Sequence, residues 1–183
     1  MAKTISSPLT EDIINELKSG DRVLLNGIIY TGRDSAHKRL VEMLNRNEEL
    51  PVDLKGQVIY YVGPCPAKPG AVIGSAGPTT SGRMDAYAPI LLEYGLKGMI
   101  GKGLRSQAVK DSMVKHGAVY FAAIGGAGAL LAQCIREAEV VAFPDLGPEA
   151  IYKLKVENFP LTVVIDRNGN DLYATGRDKY KKI

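Results

Sequence analysis

"RVLLNGIIYTGRDSAHKRLVEMLNRNEEL" (22–50) changes its hydrophobic period halfway along. From Arg22 to Tyr30 the apolar residues run almost continuously, which marks a buried strand. Past Gly32 the spacing is helical: Leu40, Met43 and Leu44 share one face, and Pro51 closes the segment. A buried strand that passes straight into a helix is the repeating unit of an α/β layered fold.

The same alternation extends on both sides. Upstream, "LTEDIINELKSGD" reads as a short amphipathic helix, with Thr10 as its N-cap, Glu11 and Asp12 in its first turn, and Gly20 as its stop. Downstream, "QVIYYVGP", "KGMIGKG" and "AVYFAAI" read as strands. Between and after them, "MDAYAPILLEYG", "RSQAVKDSMVKHG" and "GAGALLAQCIRE" read as helices. Pro89 is tolerated near the start of the first, and Gly117 stops the second. "AEVVAFPD", "IYKLKVENFP" and "LTVVIDRNGNDLY" complete the chain as strands, with "RNGN" as a hairpin signal. The expectation is one α/β domain over 1–183, a mixed sheet flanked by helices, with the charged tail 174–183 frayed.

Bulk properties exclude several classes. The net charge of +3, from 23 basic and 20 acidic residues, is too even for a nucleic-acid-binding face. The most apolar run, "AVYFAAIGGAGALLAQCI", is short for a membrane span and broken by glycine. The N-terminus lacks the charged-then-apolar order of a signal peptide. Cys65 and Cys134 are far apart and lack metal-ligand spacing, so the expectation is a cytoplasmic protein with reduced thiols, no metal of its own and no membrane contact.

Three loops carry chemistry, and each follows a predicted strand. "TGRDSAHKR" (31–39) places Arg33, His37, Lys38 and Arg39 near a helix start, where Asp34 can cap the helix and fix Arg33. "GPTTSGRMD" (77–85) offers the hydroxyls of Thr79, Thr80 and Ser81 and the planar fork of Arg83. "GKGLRS" (101–106) sets Lys102 between two glycines, and Ser106 can cap the next helix. If the strands are neighbours, Arg33, Arg83 and Lys102 converge on a small substrate with more than one negative charge. A dicarboxylate and a phosphate ester both fit that description. None of the glycine turns, "IGGAGA" (124–129) included, completes a phosphate or dinucleotide fingerprint.

These loops, with "HGAVYFAAIGGAGALLAQCI" and "VVAFPDLGPEAIYKLKVENFPLTVVIDRNGN", resemble the C-terminal region of class I, iron–sulfur-dependent fumarases. The similar L(+)-tartrate dehydratase β subunit shares that region. The resemblance runs from about Thr10 to Tyr173. It implies a swivelling β/β/α domain and the reversible hydration of fumarate to (S)-malate. It also implies a [4Fe–4S] cluster held by three cysteines of a partner α subunit, so that this chain is a β subunit working in trans. By the same resemblance Arg33, Thr79, Thr80, Arg83 and Lys102 contact substrate, with Thr79 as the proton-abstracting group. Asp34 and His37 support them, and Asp85 orients Arg83 or caps the next helix. A surface left by a missing partner allows the isolated chain to form a homodimer. Two other readings remain at this point: tartrate as substrate, or a non-catalytic dicarboxylate-binding module.

Overall fold

The computed structural model describes residues 1–178 and 181. Four parallel strands follow one another in space as in sequence: β2 (Arg22–Thr31), β3 (Val58–Tyr60), β4 (Gly98–Gly101) and β5 (Val119–Ala122). The antiparallel strand β7 (Ile151–Ile165) pairs with β5 at one end and with β2 along most of its length. That double pairing closes the five strands into a barrel. β1 (Lys3–Ser7) extends β2 in parallel, and β6 (Ile135–Ala142) extends β7 in antiparallel. The mixed sheet flanked by helices is therefore present, rolled up on itself.

Side chains alternate across the barrel wall, as the period of two requires. Val58 and Tyr60 join Ile100, Val119, Phe121, Phe159 and Val163 in one core. Ile59 and Tyr61 point the other way, with Met99 and Tyr120. This second core is roofed by α2 (Asp34–Asn45), α3 (Ala88–Tyr94) and α4 (Gln107–His116), through Leu40, Leu91, Leu92 and Met113. The near-continuous apolar strands thus serve two cores, one on each face.

Several boundaries differ from expectation. Thr10 caps α1 (Glu11–Glu16), accepting from the Ile13 amide at 3.3 Å, but that helix ends at Leu17, before Gly20. α2 ends at Arg46 and Asn47 (φ 55°), short of Pro51. α4 is capped by Ser106 and stopped by Gly117 in the left-handed region, both as expected. β1 was not foreseen; only Ile5 and Ser7 face inward, too few to leave a pattern. The expected helix "GAGALLAQCIRE" is cut to α5 (Gly128–Gln133), because Ile135 already pairs in β6. The two strands expected around Pro160 are one. Asn158 (φ 50°) bends β7, held by its amide to Asn26 Oδ1 at 2.9 Å.

"RNGN" makes a tight turn around the buried Asp166, which accepts from the Asn168 and Asn170 amides. The chain then continues as α6 (Leu172–Asp178) and not as a hairpin strand; only Asp171 bridges back to Ile165. α6 also occupies the first part of the tail expected to fray, while residues 179, 180, 182 and 183 lie outside the described residues.

Candidate functional site

Because β2, β3, β4 and β5 are parallel neighbours, the loops leaving their C-terminal ends lie side by side. This is where open α/β sheets gather ligands. The ladders carry the adjacency past the strands. Tyr60 O accepts from Gly32 N at 3.1 Å, Gly101 O accepts from Ala123 N at 3.0 Å, and Thr80 bridges in parallel to Lys102.

Arg33 occupies the N-cap position of α2 in extended backbone, with no side-chain cap. Its Nη2 lies 3.3 Å from Glu149 Oε1 and 3.8 Å from Asp34 Oδ2. Glu149 Oε2 also accepts from the Ser35 amide at 3.3 Å, so one carboxylate holds both the guanidinium and the start of α2. Arg33 Nε is buried and has no acceptor among the described residues. Glu149 reaches this point because Thr31 Oγ1 donates to Ala150 O at 3.2 Å and accepts from Tyr152 N at 2.9 Å.

Asp34 is not the cap of α2; it stands in the first turn, where the helix dipole favours a carboxylate. Its main partner is Arg83, whose Nε donates to Oδ1 at 3.0 Å while Nη2 makes a misaligned ion contact of 2.9 Å with Oδ2. Asp34 therefore joins the first loop to the second. Arg83 keeps about half its side-chain surface, at 53% exposure, so its remaining N–H groups are open to a ligand.

His37 is buried, with Nδ1 2.9 Å from Arg33 O and its ring edge-on to Tyr61 at 5.2 Å. Burial pushes its pKa down to about 4, and the Arg105 charge acts in the same direction, against the Arg33 carbonyl and Asp34. It is a neutral support for the Arg33 backbone and not a cation of the site. Arg39 is bound by Asp145 on the surface, and Lys38 is exposed beside Glu42. Of the four cations foreseen around the first loop, Arg33 alone stands in the loop cluster.

Thr79 is half-buried, its amide donating to Tyr61 O at 2.8 Å, and its hydroxyl has no partner among the described residues. Thr80 is exposed and does not cap the following turn, which is a single 3-10 stretch (Ser81–Met84); α3 begins only at Ala88. Lys102 is exposed and has no ion-pair partner among the described residues.

Asp85 does not orient Arg83. Its Oδ1 accepts from Arg105 Nε at 2.7 Å and its Oδ2 from the Ser106 amide at 2.6 Å. Arg105 is buried between the rings of Tyr61 (5.4 Å) and Tyr120 (5.0 Å), so this cation is consumed within the protein. Arg33, Arg83 and Lys102 against Asp34 and Glu149 leave the loop cluster one net positive charge.

The cluster implied by the resemblance does not fit this chain's own residues. Among the described residues no group of three or more His, Cys, Asp and Glu side chains could hold a metal ion. Cys65 is exposed and Cys134 half-buried, both free. No helix among the described residues is long and apolar enough to cross a membrane.

Sequence reasoning missed Glu149, and the hydroxyls of Tyr61 and Tyr120 under the loops. Glu149 had no detectable signal, because its approach depends on the Thr31 staple.

Comparison with known proteins gives the family of the chain. The chain is 43% identical over 173 residues to the anaerobic class I fumarate hydratase of Escherichia coli strain K12, covering 92% of this chain and 32% of that protein. It is 42% identical over 163 residues to fumarate hydratase 2 of Leishmania major, covering 88% of this chain and 29% of the relative. The chain thus spans about a third of the fumarate hydratases it matches. A Methanocaldococcus jannaschii protein, provisionally named L(+)-tartrate dehydratase subunit beta, is 42% identical over 182 residues, covering 96% of this chain and 93% of its own length. The profile of the Fumarase C-terminus family matches residues 2–176, and the chain belongs to that family.

Proposed function

We infer that this chain is the β subunit of a class I hydro-lyase and forms the dicarboxylate-gripping half of its site, with fumarate hydration to (S)-malate as the reaction. The observation that carries this reading is the side-by-side placement of three loops at the ends of β2, β3 and β4, joined by the Arg33–Asp34–Arg83 ion contacts and the Thr80–Lys102 bridge. The half-buried Arg33, the half-exposed Arg83 and the exposed Lys102 suit two carboxylates. A planar guanidinium takes one in bidentate fashion, and the ammonium takes the other as a point charge. The orphaned Arg33 Nε adds a donor that a ligand oxygen can satisfy.

Thr79 is the proton-transfer group. In the dehydrating direction its oxygen takes the proton from the carbon beside a carboxylate, and in hydration the hydroxyl returns it. A threonine hydroxyl is a weak base, so its alkoxide needs neighbouring positive charge. Lys102 N donates to Thr79 O at 3.3 Å, which ties the two residues into adjacent backbone. Arg33, Arg83 and Lys102 also stabilise the negative charge that builds on the substrate as the C–H bond breaks.

A [4Fe–4S] cluster would be held by a partner α subunit and not by this chain's described residues, and it would supply the Lewis acid for the departing hydroxyl. The free thiols of Cys65 and Cys134 support a reducing, cytoplasmic setting. Tartrate is the second substrate reading, favoured by the relative whose length this chain nearly fills.

The test is turnover by the chain mixed anaerobically with a cluster-bearing partner, using fumarate and L(+)-tartrate. Arg83→Ala is expected to assemble normally and lose about 10–150-fold in kcat/KM, the worth of one charge-assisted contact. Full activity in that variant refutes the role of Arg83. Oxaloacetate from tartrate without malate from fumarate moves the substrate to tartrate. Failure of the intact complex on both substrates leaves a binding module.

A further inference from the structure

Lys102 carries its ammonium on an exposed, flexible stem, so its place must be set through its backbone. Its carbonyl accepts from Ser81 N at 2.9 Å. Side chains grip the next residue on both of its peptides: Gly103 N, in the peptide of the Lys102 carbonyl, donates to Tyr173 Oη at 3.3 Å, and Tyr120 Oη donates to Gly103 O, in the peptide after it, at 2.9 Å. A carbonyl only accepts, so the single phenolic proton of Tyr120 is used there. In the 2.8 Å contact between Ser81 Oγ and Tyr120 Oη, Ser81 must then be the donor. Both hydroxyls are fully buried. The approach is possible because residue 101 is glycine: a Cβ there would stand 2.0 Å from Ser81 Oγ. The result is a one-way hydroxyl chain, Ser81 to Tyr120 to Gly103 O, running from the threonine loop through β5 to the lysine loop.

We propose that Ser81 and Tyr120 are positioning residues for Lys102: their hydroxyl chain fixes the Gly103 carbonyl one residue beyond it, next to the Lys102 carbonyl held by the Ser81 amide, so that the ammonium meets a substrate carboxylate at a set place. This rests on the reading above that Lys102 binds a substrate carboxylate. Neither hydroxyl touches the substrate; both act through the loop.

The test is a double-mutant cycle of Tyr120→Phe with Lys102→Ala. It is read as kcat and KM of the chain assembled with its cluster-bearing partner, and as the dissociation constant of fumarate by calorimetry on the chain alone. Tyr120→Phe is expected to raise KM and the dissociation constant about tenfold when Lys102 is present, and less than about twofold when it is alanine. Ser81→Ala should match Tyr120→Phe, and the pair together should be no worse than either alone, because one chain is broken in each case. A purely structural hydroxyl would act equally in both Lys102 backgrounds; that result, or an unchanged KM in Tyr120→Phe, overturns the proposal. If the wild-type complex turns over neither fumarate nor tartrate while the chain still binds fumarate, the reaction is wrong and the cycle in binding decides the positioning role. A wild-type chain that neither binds nor turns over a dicarboxylate removes the substrate role of Lys102 and overturns the proposal with it.

Discussion

His37 makes a pH-dependent contribution to stability whose sign is set by its burial. Its pKa is pushed from 6.5 down to about 4, because the ring is fully buried and Arg105 lies on one side, while Asp34 and the Arg33 carbonyl only partly compensate. The folded pKa is depressed, so the unfolded chain takes up a proton first. The stability is fully present above the unfolded value and is lost as pH falls towards about 4. A tenfold difference in proton affinity is worth about 1.4 kcal/mol, so this one residue removes about 2 kcal/mol between about pH 7 and about pH 5. The full loss is about 3 kcal/mol once the folded form also protonates. The assay is urea denaturation at stepped pH for the wild type and for His37→Phe. Phe should cost about 1 kcal/mol near neutrality, through the lost bond to Arg33 O, and then show the flatter pH dependence. The carboxylates of Glu11, Asp21 and Asp145 are held below their usual range, so their titration begins at lower pH and is common to both proteins. Parallel pH profiles for the two proteins would refute the buried neutral imidazole.

Two further substitutions probe the frame beneath the loops. Gly101→Ala would place a methyl 2.0 Å from Ser81 Oγ and 2.9 Å from Tyr61 Cδ2, so a loss of about 1–3 kcal/mol is expected in chemical denaturation. Ser81→Ala in the same chain should recover only part of it, because the Tyr61 contact remains. Arg105→Met should cost about 3–5 kcal/mol, since it leaves the Asp85 carboxylate without its 2.7 Å partner. A change below about 1 kcal/mol by the same measurement would show that Asp85 finds other partners.

Much of the site was visible before folding, because strand ends, glycine turns and cations are local features. Arg33, Thr79, Arg83 and Lys102 each stand in a loop after an apolar run, and parallel neighbours bring such loops together. What sorted the cations was not local. His37 read as a charge available to a ligand, yet burial neutralises it, and Arg105 is consumed by Asp85 and two aromatic rings. Asp34 and Asp85 looked like helix caps or partners of their sequence neighbours; Asp34 instead bridges to Arg83 and Asp85 to Arg105.

The alternation of apolar runs with helical spacing was enough to establish most strands and helices and the caps at Thr10 and Ser106, since these depend on neighbours a few residues away. Closure of the barrel was not written locally. It needs β7 to pair with β5 and β2 at once, across a bend at Asn158, and sequence periodicity carries no information on which edges meet. The division of ionisable groups into buried struts and solvent-open cations came from the same source. Charge is a property of the residue type, but its availability depends on which distant side chains and how much water surround it once the chain is folded.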